Sequence, residues 1–454
     1  MIDFDPALIR RYDQSGPRYT SYPSADRFQS GFPAQSADAA LAARNVAGDL
    51  SLYFHIPFCR TLCFYCGCHR IPTRREERGT RYVDFLIEEM QLVAARLTGP
   101  KRVRQIHLGG GTPTFLSTKD LARLMAEMRT LFEFVDDLEC GIEVDPRSVD
   151  AARIAELAAM GFNRLSLGVQ DFDPEVQKAI NRIQSEAETL GVLEAARAAG
   201  FASISVDLIY GLPFQTPERF ARTLERVIAF RPDRIAVYNY AHMPERFPAQ
   251  SAMPREALPG PDAKLALLGL TIATLEAAGY EYIGMDHFAL ATDELAIAQR
   301  EGSLQRNFQG YSTHADCEML GFGVSAIGCV GGTYLQNSKD IESWEAAIVD
   351  GRLPVVRGYT LSDDDRLRSK VIQLLMCRLE IDTRTVTSRL GRPFWECFGD
   401  VRETLLGFAR DGLLALGPNS IRILPRGRLL VRHIAMAFDA HLTQPGAARY
   451  SRVI

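Results

Sequence analysis

The chain has 454 residues, of which 46% are hydrophobic and 24% charged, and its formal net charge is −4. This small acidic balance gives no electrostatic reason to expect nucleic acid or an anionic membrane as a partner. No apolar run approaches the roughly 18 residues that a membrane span requires, and the first residues lack the order of a signal peptide. The nine cysteines are an odd number, so we expect reduced thiols in the cytoplasm rather than a disulfide framework.

The first 49 residues are a lead-in of polar and small residues. The segment at 15–23 reads Ser-Gly-Pro-Arg-Tyr-Thr-Ser-Tyr-Pro. Because proline and glycine interrupt helices, this composition predicts an ordered loop. We therefore expect residues 1–49 to form a separate N-terminal segment.

From about residue 50 to 240, short apolar strands alternate with amphipathic helices. The apolar runs end in Gly, Pro or aromatic residues and lie at 50–58, 103–111, 138–146, 164–172, 203–213 and 234–240. Stretches between them, such as 120–132 and 189–200, carry apolar residues at helical spacing. This alternation predicts an α/β fold with a parallel sheet and helices outside it. Because a closed barrel needs eight repeats, the six found here predict a partial (β/α)6 barrel.

Beyond residue 240 the pattern changes. A proline-rich loop at 241–262 precedes a helix predicted at 263–279, and the pattern at 280–340 is irregular and rich in glycine. From about 360, helices, a hairpin turning at 418–420 and a last helix predict a small, mostly helical, winged-helix-like domain. Without a basic surplus we interpret it as a packing or lid domain rather than a DNA-binding one. The expected domains are thus 1–49, a barrel domain at 50–350 and a C-terminal domain at 360–454.

Four cysteines lie in one short loop after the first strand: Cys59, Cys63, Cys66 and Cys68. So many soft ligands close together predict metal or redox chemistry. Zinc is one candidate, but structural zinc sites use four closed ligands, typically as two separated pairs, and this loop has no second pair. A cubane iron–sulfur cluster fits better, because it can take three thiolates from a short loop and leave one iron open. An open iron is what electron transfer to a bound small molecule requires.

Glycines and polar residues mark one edge of the predicted sheet. Gly109, Gly110 and Gly111 end the second strand, where missing side chains let a ligand approach and expose N–H groups to an anion. The later strands end in Glu143 and Asp145, Gln170 and Asp171, Asp207 and Tyr210, and Tyr240 and Ala241. Any one of these is more often a capping or salt-bridged residue. Together they lie at the carboxyl edge, which carries the chemistry of α/β barrels.

The CxxxCxxC spacing after a strand resembles the signature of the radical S-adenosylmethionine superfamily. Within that superfamily, the chain resembles the family of oxygen-independent coproporphyrinogen III oxidases nearly from end to end. The segments that carry this resemblance lie at 15–23, 53–70, 107–114, 142–147, 162–172, 206–216, 238–242, 284–289, 306–313, 321–328 and 451–454. The family more usually has Phe where this chain has Tyr65.

The resemblance implies a role for each matching residue. Cys59, Cys63 and Cys66 would bind a 4Fe–4S cluster, and Cys68 would be required for catalysis without binding iron. A first S-adenosylmethionine would be lined by Tyr53, Tyr65, Gly110, Glu143, Ala241 and Ile327. A second one, an unusual feature of this family, would be held by Gly111, Thr112, Gln170, Arg182 and Asp207.

The reaction that the resemblance implies is the anaerobic oxidative decarboxylation of two propionates of coproporphyrinogen III, which gives protoporphyrinogen IX in heme synthesis. A 5′-deoxyadenosyl radical from S-adenosylmethionine would take the hydrogen, because no protein base can deprotonate the unactivated β-carbon of a propionate. The expected partners are this substrate, an unidentified electron donor and an unidentified terminal acceptor. We expect a cytoplasmic monomer with no nucleic-acid or membrane partner.

The N-terminal segment is predicted to cover the active site and to help bind the substrate. Four propionates require cationic or hydrogen-bonding partners, and the segment supplies Arg10, Arg11 and Arg18. Tyr19 and Tyr22 add rings suited to a flat macrocycle, and hydroxyl groups. The alternative is that these arginines are solvated and that the segment only packs on the barrel.

A second hypothesis belongs to a different class, a heme chaperone of similar sequence without oxidase activity. Such proteins share the CxxxCxxC loop but generally lack the Cys66-Gly67-Cys68 ending, and their terminal extensions are shorter. That ending, the segment at 15–23 and the Ser-Arg-Val-Ile sequence at 451–454 favour the enzyme.

Overall fold

The computed structural model describes residues 2–44, 46–314 and 317–442, and the chain forms two units. The larger unit comprises Phe28–Leu267 and Asp316–Thr360, and the smaller unit comprises Met1–Arg27, Leu268–Ala315 and Leu361–Ile454. This division differs from the expected domains, because the N-terminal residues share a hydrophobic core with the C-terminal helices. The sequence at 451–454 that contributed to the resemblance lies outside the described residues.

The strands of the described residues are numbered in chain order. They are β1 (Gln29–Ser30), β2 (Leu50–Ile56), β3 (Phe58–Cys59), β4 (Ile71–Pro72), β5 (Arg102–Gly110), β6 (Glu133–Val144), β7 (Arg164–Gln170), β8 (Ser203–Tyr210), β9 (Arg234–Asn239), β10 (Tyr280–Gly284), β11 (His287–Leu290), β12 (Gln305–Asn307), β13 (Gly310–Ser312), β14 (Glu318–Phe322), β15 (Ile327–Val330), β16 (Thr333–Asn337), β17 (Val355–Thr360), β18 (Glu380–Asp382), β19 (Leu414–Leu416) and β20 (Ser420–Ile423).

The α-helices are numbered in the same way. They are α1 (Pro6–Tyr12), α2 (Ala34–Ala42), α3 (Glu77–Arg96), α4 (Thr118–Leu131), α5 (Ala151–Met160), α6 (Pro174–Ala179), α7 (Glu186–Ala198), α8 (Pro217–Phe230), α9 (Pro261–Ala277), α10 (Glu294–Glu301), α11 (Ile341–Val349), α12 (Asp363–Gln373), α13 (Thr383–Leu390), α14 (Phe394–Cys397), α15 (Arg402–Arg410) and α16 (Val431–Met436). Within the described residues, no helix is long and apolar enough to cross a membrane.

A mixed sheet forms the centre of the larger unit. Its strands are hydrogen-bonded in the order β1-β17-β16-β15-β14-β2-β5-β6-β7-β8-β9. The six predicted strands are β2, β5, β6, β7, β8 and β9, and neighbours among them pair in parallel. The helices α3, α4, α5, α7 and α8 come between them in the chain. The predicted open α/β sheet, a partial rather than a closed barrel, is confirmed.

The irregular pattern at 280–340 predicts no strand, yet β14 adds a further parallel strand beside β2, with Gly321 opposite Tyr53. The strands β15, β16 and β17 continue the sheet in antiparallel pairs. The strands β14, β15 and β17 contain glycine, which interrupts the apolar alternation by which a strand is recognised in a sequence. Glycine is required at Gly321, where a Cβ atom would lie 2.7 Å from the carbonyl carbon of Ile327.

Local capping explains where the predicted helices begin. The Ser117 side chain accepts a hydrogen bond from the Asp120 amide at the start of α4. Ser185 and Glu188 form a capping box at the start of α7, each side chain accepting from the other's backbone N–H. Both amphipathic segments predicted in this region are confirmed as helices.

The smaller unit is mostly helical and has its own hydrophobic core. The predicted hairpin is confirmed, since β19 and β20 pair in antiparallel fashion, and β18 joins them on the other side of β20. Residues 15–23 carry no helix, as predicted, but α1 and α2 form on either side of them in the lead-in. Asp5 begins α1 by accepting a hydrogen bond from the Leu8 amide.

Candidate active site

The cysteine loop is closed at its base by two short parallel strands. Cys59 in β3 lies opposite Pro72 in β4, and the Thr73 amide donates to the Cys59 carbonyl at 2.9 Å. Within the loop, the Phe64 amide donates to the Ile180 carbonyl at 3.0 Å. The loop is therefore held at its ends and in its middle by backbone hydrogen bonds.

Polar donors from the segments that follow β5, β6 and β7 point at the cysteine sulfurs. Thr112 Oγ1 donates to Cys59 Sγ at 3.5 Å, and the guanidiniums of Arg147 and Arg182 donate to Cys63 Sγ at 3.8 Å and 3.7 Å. Hydrogen-bond donors thus orient the sulfurs of two of the three predicted ligands.

The pKa values of two of the three predicted ligands are shifted in opposite directions. Burial raises the pKa of Cys59 to about 11. A hydrogen bond from Cys68 is the main reason why the pKa of Cys66 falls to about 6. Cys68 itself is exposed, whereas Cys63 is buried. Cys68 therefore lies at the outer end of the loop, in contact with one predicted ligand.

The donor set fits a 4Fe–4S cluster, because three soft thiols on one short loop are the ligands that such clusters take. Among the residues that the structure describes, no group of three His, Cys, Asp or Glu side chains is close enough to hold a single metal ion. The residues that would hold the cluster are Cys59, Cys63 and Cys66, as the resemblance implies.

The glycine run at the end of β5 contributes to the packing of the chain itself. The Gly110 amide donates to Glu143 Oε2 at 3.0 Å, and the Gly111 amide donates to the Ile56 carbonyl at 2.8 Å. The Gly110 amide thus faces an anion that belongs to the protein, and binding of a ligand by these N–H groups stays a prediction. A Cβ atom on Gly110 would lie 2.5 Å from His55 Cε1, so the neighbouring side chain requires glycine there.

Three of the residues predicted to line the first S-adenosylmethionine come together around Glu143. Its carboxylate accepts from Gly110 and also from His107 Nε2 at 3.3 Å. The Tyr53 ring stacks on the His107 ring with 6.1 Å between centroids. Desolvation alone would raise the pKa of Glu143, but His107 and the Gly110 amide hold it below its usual value. An ionised carboxylate at this position is suited to accept hydrogen bonds from an ammonium group.

A buried glutamine that the sequence analysis missed joins two other predicted residues. Gln250 is 2% exposed, and its Nε2 donates to the carbonyls of Tyr65 and Ala241 at 3.2 Å and 3.3 Å. The proline-rich composition of 241–262 gives no periodic signal that would have singled out this side chain. Ile327 is the first residue of β15. It lies next to Gly321, which belongs to β14, the strand that pairs with β2.

Three of the five residues predicted for the second S-adenosylmethionine, Gln170, Arg182 and Asp207, lie around Gly168. The other two, Gly111 and Thr112, follow β5 beside the cysteine loop. A Cβ atom on Gly168 would lie 2.8 Å from Gln170 Nε2 and 3.1 Å from Arg182 Nη2. Asp207 lies opposite Gly168 across the β7–β8 pair. Burial and the charge of Glu143 raise the pKa of Asp207 to about 7.

Gln170 and Arg182 are held in unusual environments. Gln170 has a φ of 70°, a left-handed conformation that costs a non-glycine residue about 1–3 kcal/mol and occurs often at functional sites. Arg182 Nη1 donates to Asp145 Oδ2 at 3.1 Å, and its Nη2 donates to the Gly168 carbonyl. Arg182 Nε is buried without a hydrogen-bond partner.

Two polar residues at the predicted edge have structural roles. Asp171 is fully buried, and it accepts hydrogen bonds from Thr223 Oγ1 and Gln215 Nε2, each at 2.6 Å. Asp145 forms ion pairs with Arg147 and Arg182. The expectation that Asp171 belongs to the functional edge is therefore wrong, because its carboxylate anchors α8 instead.

The N-terminal residues predicted to bind substrate lie in the smaller unit. Arg11 pairs with Asp411 at 3.1 Å, Arg18 pairs with Asp286, and Arg10 is exposed. The rings of Tyr19 and Tyr22 are each 1% exposed within the core of this unit. Packing inside the core is a different environment from the predicted contact with a macrocycle. A role of the three arginines in substrate binding stays a prediction.

The sequence and structure were compared with those of known proteins. Residues 53–227 match the model of the radical SAM superfamily, and residues 361–430 match that of the HemN C-terminal domain. The oxygen-independent coproporphyrinogen III oxidase of Pseudomonas aeruginosa is 49% identical over 100% of this chain and 99% of its own. The enzyme of that name from Escherichia coli is 46% identical with the same coverage.

A solved structure of coproporphyrinogen III oxidase from Escherichia coli, described as a radical SAM enzyme, superposes with a TM-score of 0.93 and 45% identity over 97% of this chain and 100% of that chain. The parallel sheet and the cysteine loop after its first long strand thus define a radical S-adenosylmethionine protein. Because the sequence identity to these two enzymes extends over the full length of the chain, the chain belongs to the family of oxygen-independent coproporphyrinogen III oxidases.

Serine substitution tests the cluster ligands. A cubane cluster bound by three thiolates contains about four irons per chain. We expect Cys59→Ser, Cys63→Ser and Cys66→Ser each to lose this iron, because each substitution removes one of the thiolates. Iron and sulfide analysis of anaerobically purified protein measures the loss. Cys397→Ser is the matched control and should keep its iron, since Cys397 lies in the smaller unit. Zinc in place of iron in the wild-type protein would contradict the assignment.

Proposed function

We propose that this protein converts coproporphyrinogen III to protoporphyrinogen IX without oxygen, by decarboxylating two propionates to vinyl groups in heme synthesis. The observation that carries the proposal is the cysteine loop packed against the Glu143 edge, in a chain 49% identical to an enzyme of that name over its full length. The proposed enzyme is a cytoplasmic monomer, and its electron donor and terminal acceptor are separate molecules.

The reactive hydrogen of the substrate is not acidic, so the chain's own residues position and bind rather than deprotonate. When bound, the cluster and S-adenosylmethionine supply the radical that removes this hydrogen. Cys59, Cys63 and Cys66 hold the cluster. The Glu143 carboxylate accepts hydrogen bonds from the amino group of the first S-adenosylmethionine, and Tyr53 lies beside it.

We assign a second S-adenosylmethionine to the residues around Gly168. The support for this site is a second set of polar groups beside those around Glu143, namely Gln170, Arg182 and Asp207. Among the described residues, the Asp207 carboxylate accepts a hydrogen bond only from Ser166 Oγ, at 3.3 Å, so it has capacity for a hydroxyl or ammonium donor.

Cys68 has a separate role from the ligands in this proposal. Its side chain is exposed at the end of the loop, next to the predicted ligand Cys66. The exposed thiol at this position is available to the substrate, whereas Cys63 is buried and Cys59 and Cys66 are partly buried. We therefore assign Cys68 to substrate turnover rather than to cluster binding.

Cys68→Ser tests both the function and this assignment. The wild-type protein should convert coproporphyrinogen III anaerobically with S-adenosylmethionine and a reductant. Cys68→Ser should keep its iron and lose turnover by at least about a hundredfold, as expected when a group in contact with the substrate is removed. Chromatography of the oxidised porphyrins measures the conversion. Loss of iron in this variant would make Cys68 a ligand, and a wild-type protein that retains heme without turnover would indicate the chaperone instead.

Binding stoichiometry tests the second site. Anaerobic equilibrium dialysis with labelled S-adenosylmethionine should give two equivalents per chain for the wild type. Asp207→Asn should bind one, because it removes the charged acceptor, and its iron content should not change. Glu143→Gln is the matched comparison and should weaken the other binding event. A wild-type stoichiometry of one would contradict the second site.

A further inference from the structure

Two cations border the Cys66-Gly67-Cys68 end of the cysteine loop. Arg246 and Lys339 are both exposed, and neither has an ion pair with a carboxylate among the residues that the structure describes. Elsewhere in the same unit, the partly exposed Arg104 and Arg219 each pair with two carboxylates. Among the described residues, no acidic side chain balances the charges of Arg246 and Lys339 in this way.

Arg246 is held next to the loop by an aromatic ring. Its guanidinium lies 5.7 Å from the centre of the Phe247 ring. That ring covers Gly67, since a Cβ atom on Gly67 would lie 3.2 Å from Phe247 Cζ. The segment that carries both side chains is tied to the loop by Gln250, which donates to the Tyr65 carbonyl and accepts from the Met243 amide.

Lys339 lies at the same edge of the sheet as the cysteine loop. It follows β16, which runs in the same direction as β2, and burial together with the charge of Lys339 lowers the pKa of His69, one residue after Cys68. Partial burial together with the charges of Arg357 and Arg246 lowers the pKa of Lys339. Arg357 already donates to Gln336 Oε1 and to the Phe28 carbonyl, so it adds charge to this region with its donors in use.

Like charges that lie close together repel, and an anion between them removes the repulsion. The porphyrinogen carries four propionates on an apolar macrocycle, which is the chemistry that two unpaired cations and an aromatic ring would bind. We infer that Arg246 and Lys339 bind propionate carboxylates of the substrate and hold the macrocycle against the Cys66–Cys68 end of the loop. This inference rests on the proposed function, and it makes both residues positioning residues for the reaction.

The test measures porphyrin binding by variants of the anaerobic holoprotein. The probe is coproporphyrin III, whose fluorescence reports binding, and its tetramethyl ester is the uncharged comparison. Arg246→Gln and Lys339→Gln should each raise the Kd for the tetra-acid about tenfold, the loss expected for one charge-assisted hydrogen bond. The Kd for the ester should not change. Lys339→Arg should restore binding of the tetra-acid, because it restores the charge.

Matched controls remove the same charges elsewhere. Arg226→Gln and Lys119→Gln change exposed residues of α8 and α4, and both should bind the tetra-acid as the wild type does. In turnover, the Arg246 and Lys339 variants should raise KM for coproporphyrinogen III with kcat little changed. Their iron content and S-adenosylmethionine binding should equal those of the wild type.

Three results would overturn the inference. The first is an unchanged Kd for the tetra-acid in both glutamine variants, which would leave the proposed function intact if the wild type still decarboxylates. The second is a parallel loss of iron or S-adenosylmethionine binding, which would show a structural role. The third is unchanged porphyrin binding with slower reduction by an acidic electron-carrier protein, which would assign the surface to that partner. Failure of the wild type to bind or convert the porphyrinogen would instead refute the proposed function.

Discussion

The buried ion pair between Arg182 and Asp145 connects the parts of the candidate active site. The Arg182 side chain is 6% exposed, and it contacts the end of β6 through Asp145, β7 through the Gly168 carbonyl and the cysteine loop through Cys63 Sγ. Breaking a buried pair by removing one partner costs about 3–5 kcal/mol, because a charge is left without compensation. This one guanidinium therefore adds a buried side-chain link between the loop and the sheet to the backbone hydrogen bonds that hold the loop.

Charge is distributed around the loop in a way that suits two kinds of ligand. On the sheet side, the carboxylates of Glu143 and Asp207 are suited to bind positively charged groups, as the proposed S-adenosylmethionine sites require. On the side of Gly67 and Cys68, Arg246 and Lys339 supply unpaired positive charge. The proposed sites for the cofactor amino group and for the substrate carboxylates thus carry opposite charge within reach of one short loop.

The sequence predicted what depends on local pattern, namely the six parallel strands, the helices between them and the cysteine loop. It did not predict β14–β17, because glycine interrupts the apolar alternation in three of these strands, β14, β15 and β17. The sequence also did not predict contacts between residues that are distant in the chain. Gln250 bonds to Tyr65, and Tyr19 packs in the smaller unit's core, only because the fold brings them together. The same limit hid the packing role of Gly110, since His55 and Glu143 meet it across strands.

The central claim is that the three-cysteine loop leaves one iron open to the amino and carboxylate groups of S-adenosylmethionine. Electron–nuclear double resonance of the reduced wild-type protein, with S-adenosylmethionine labelled with nitrogen-15 at the amino group, tests this directly. The account predicts a hyperfine coupling between the label and the cluster, absent when unlabelled compound is used. A bound, labelled S-adenosylmethionine without such coupling would show that the fourth iron is closed and would contradict the account.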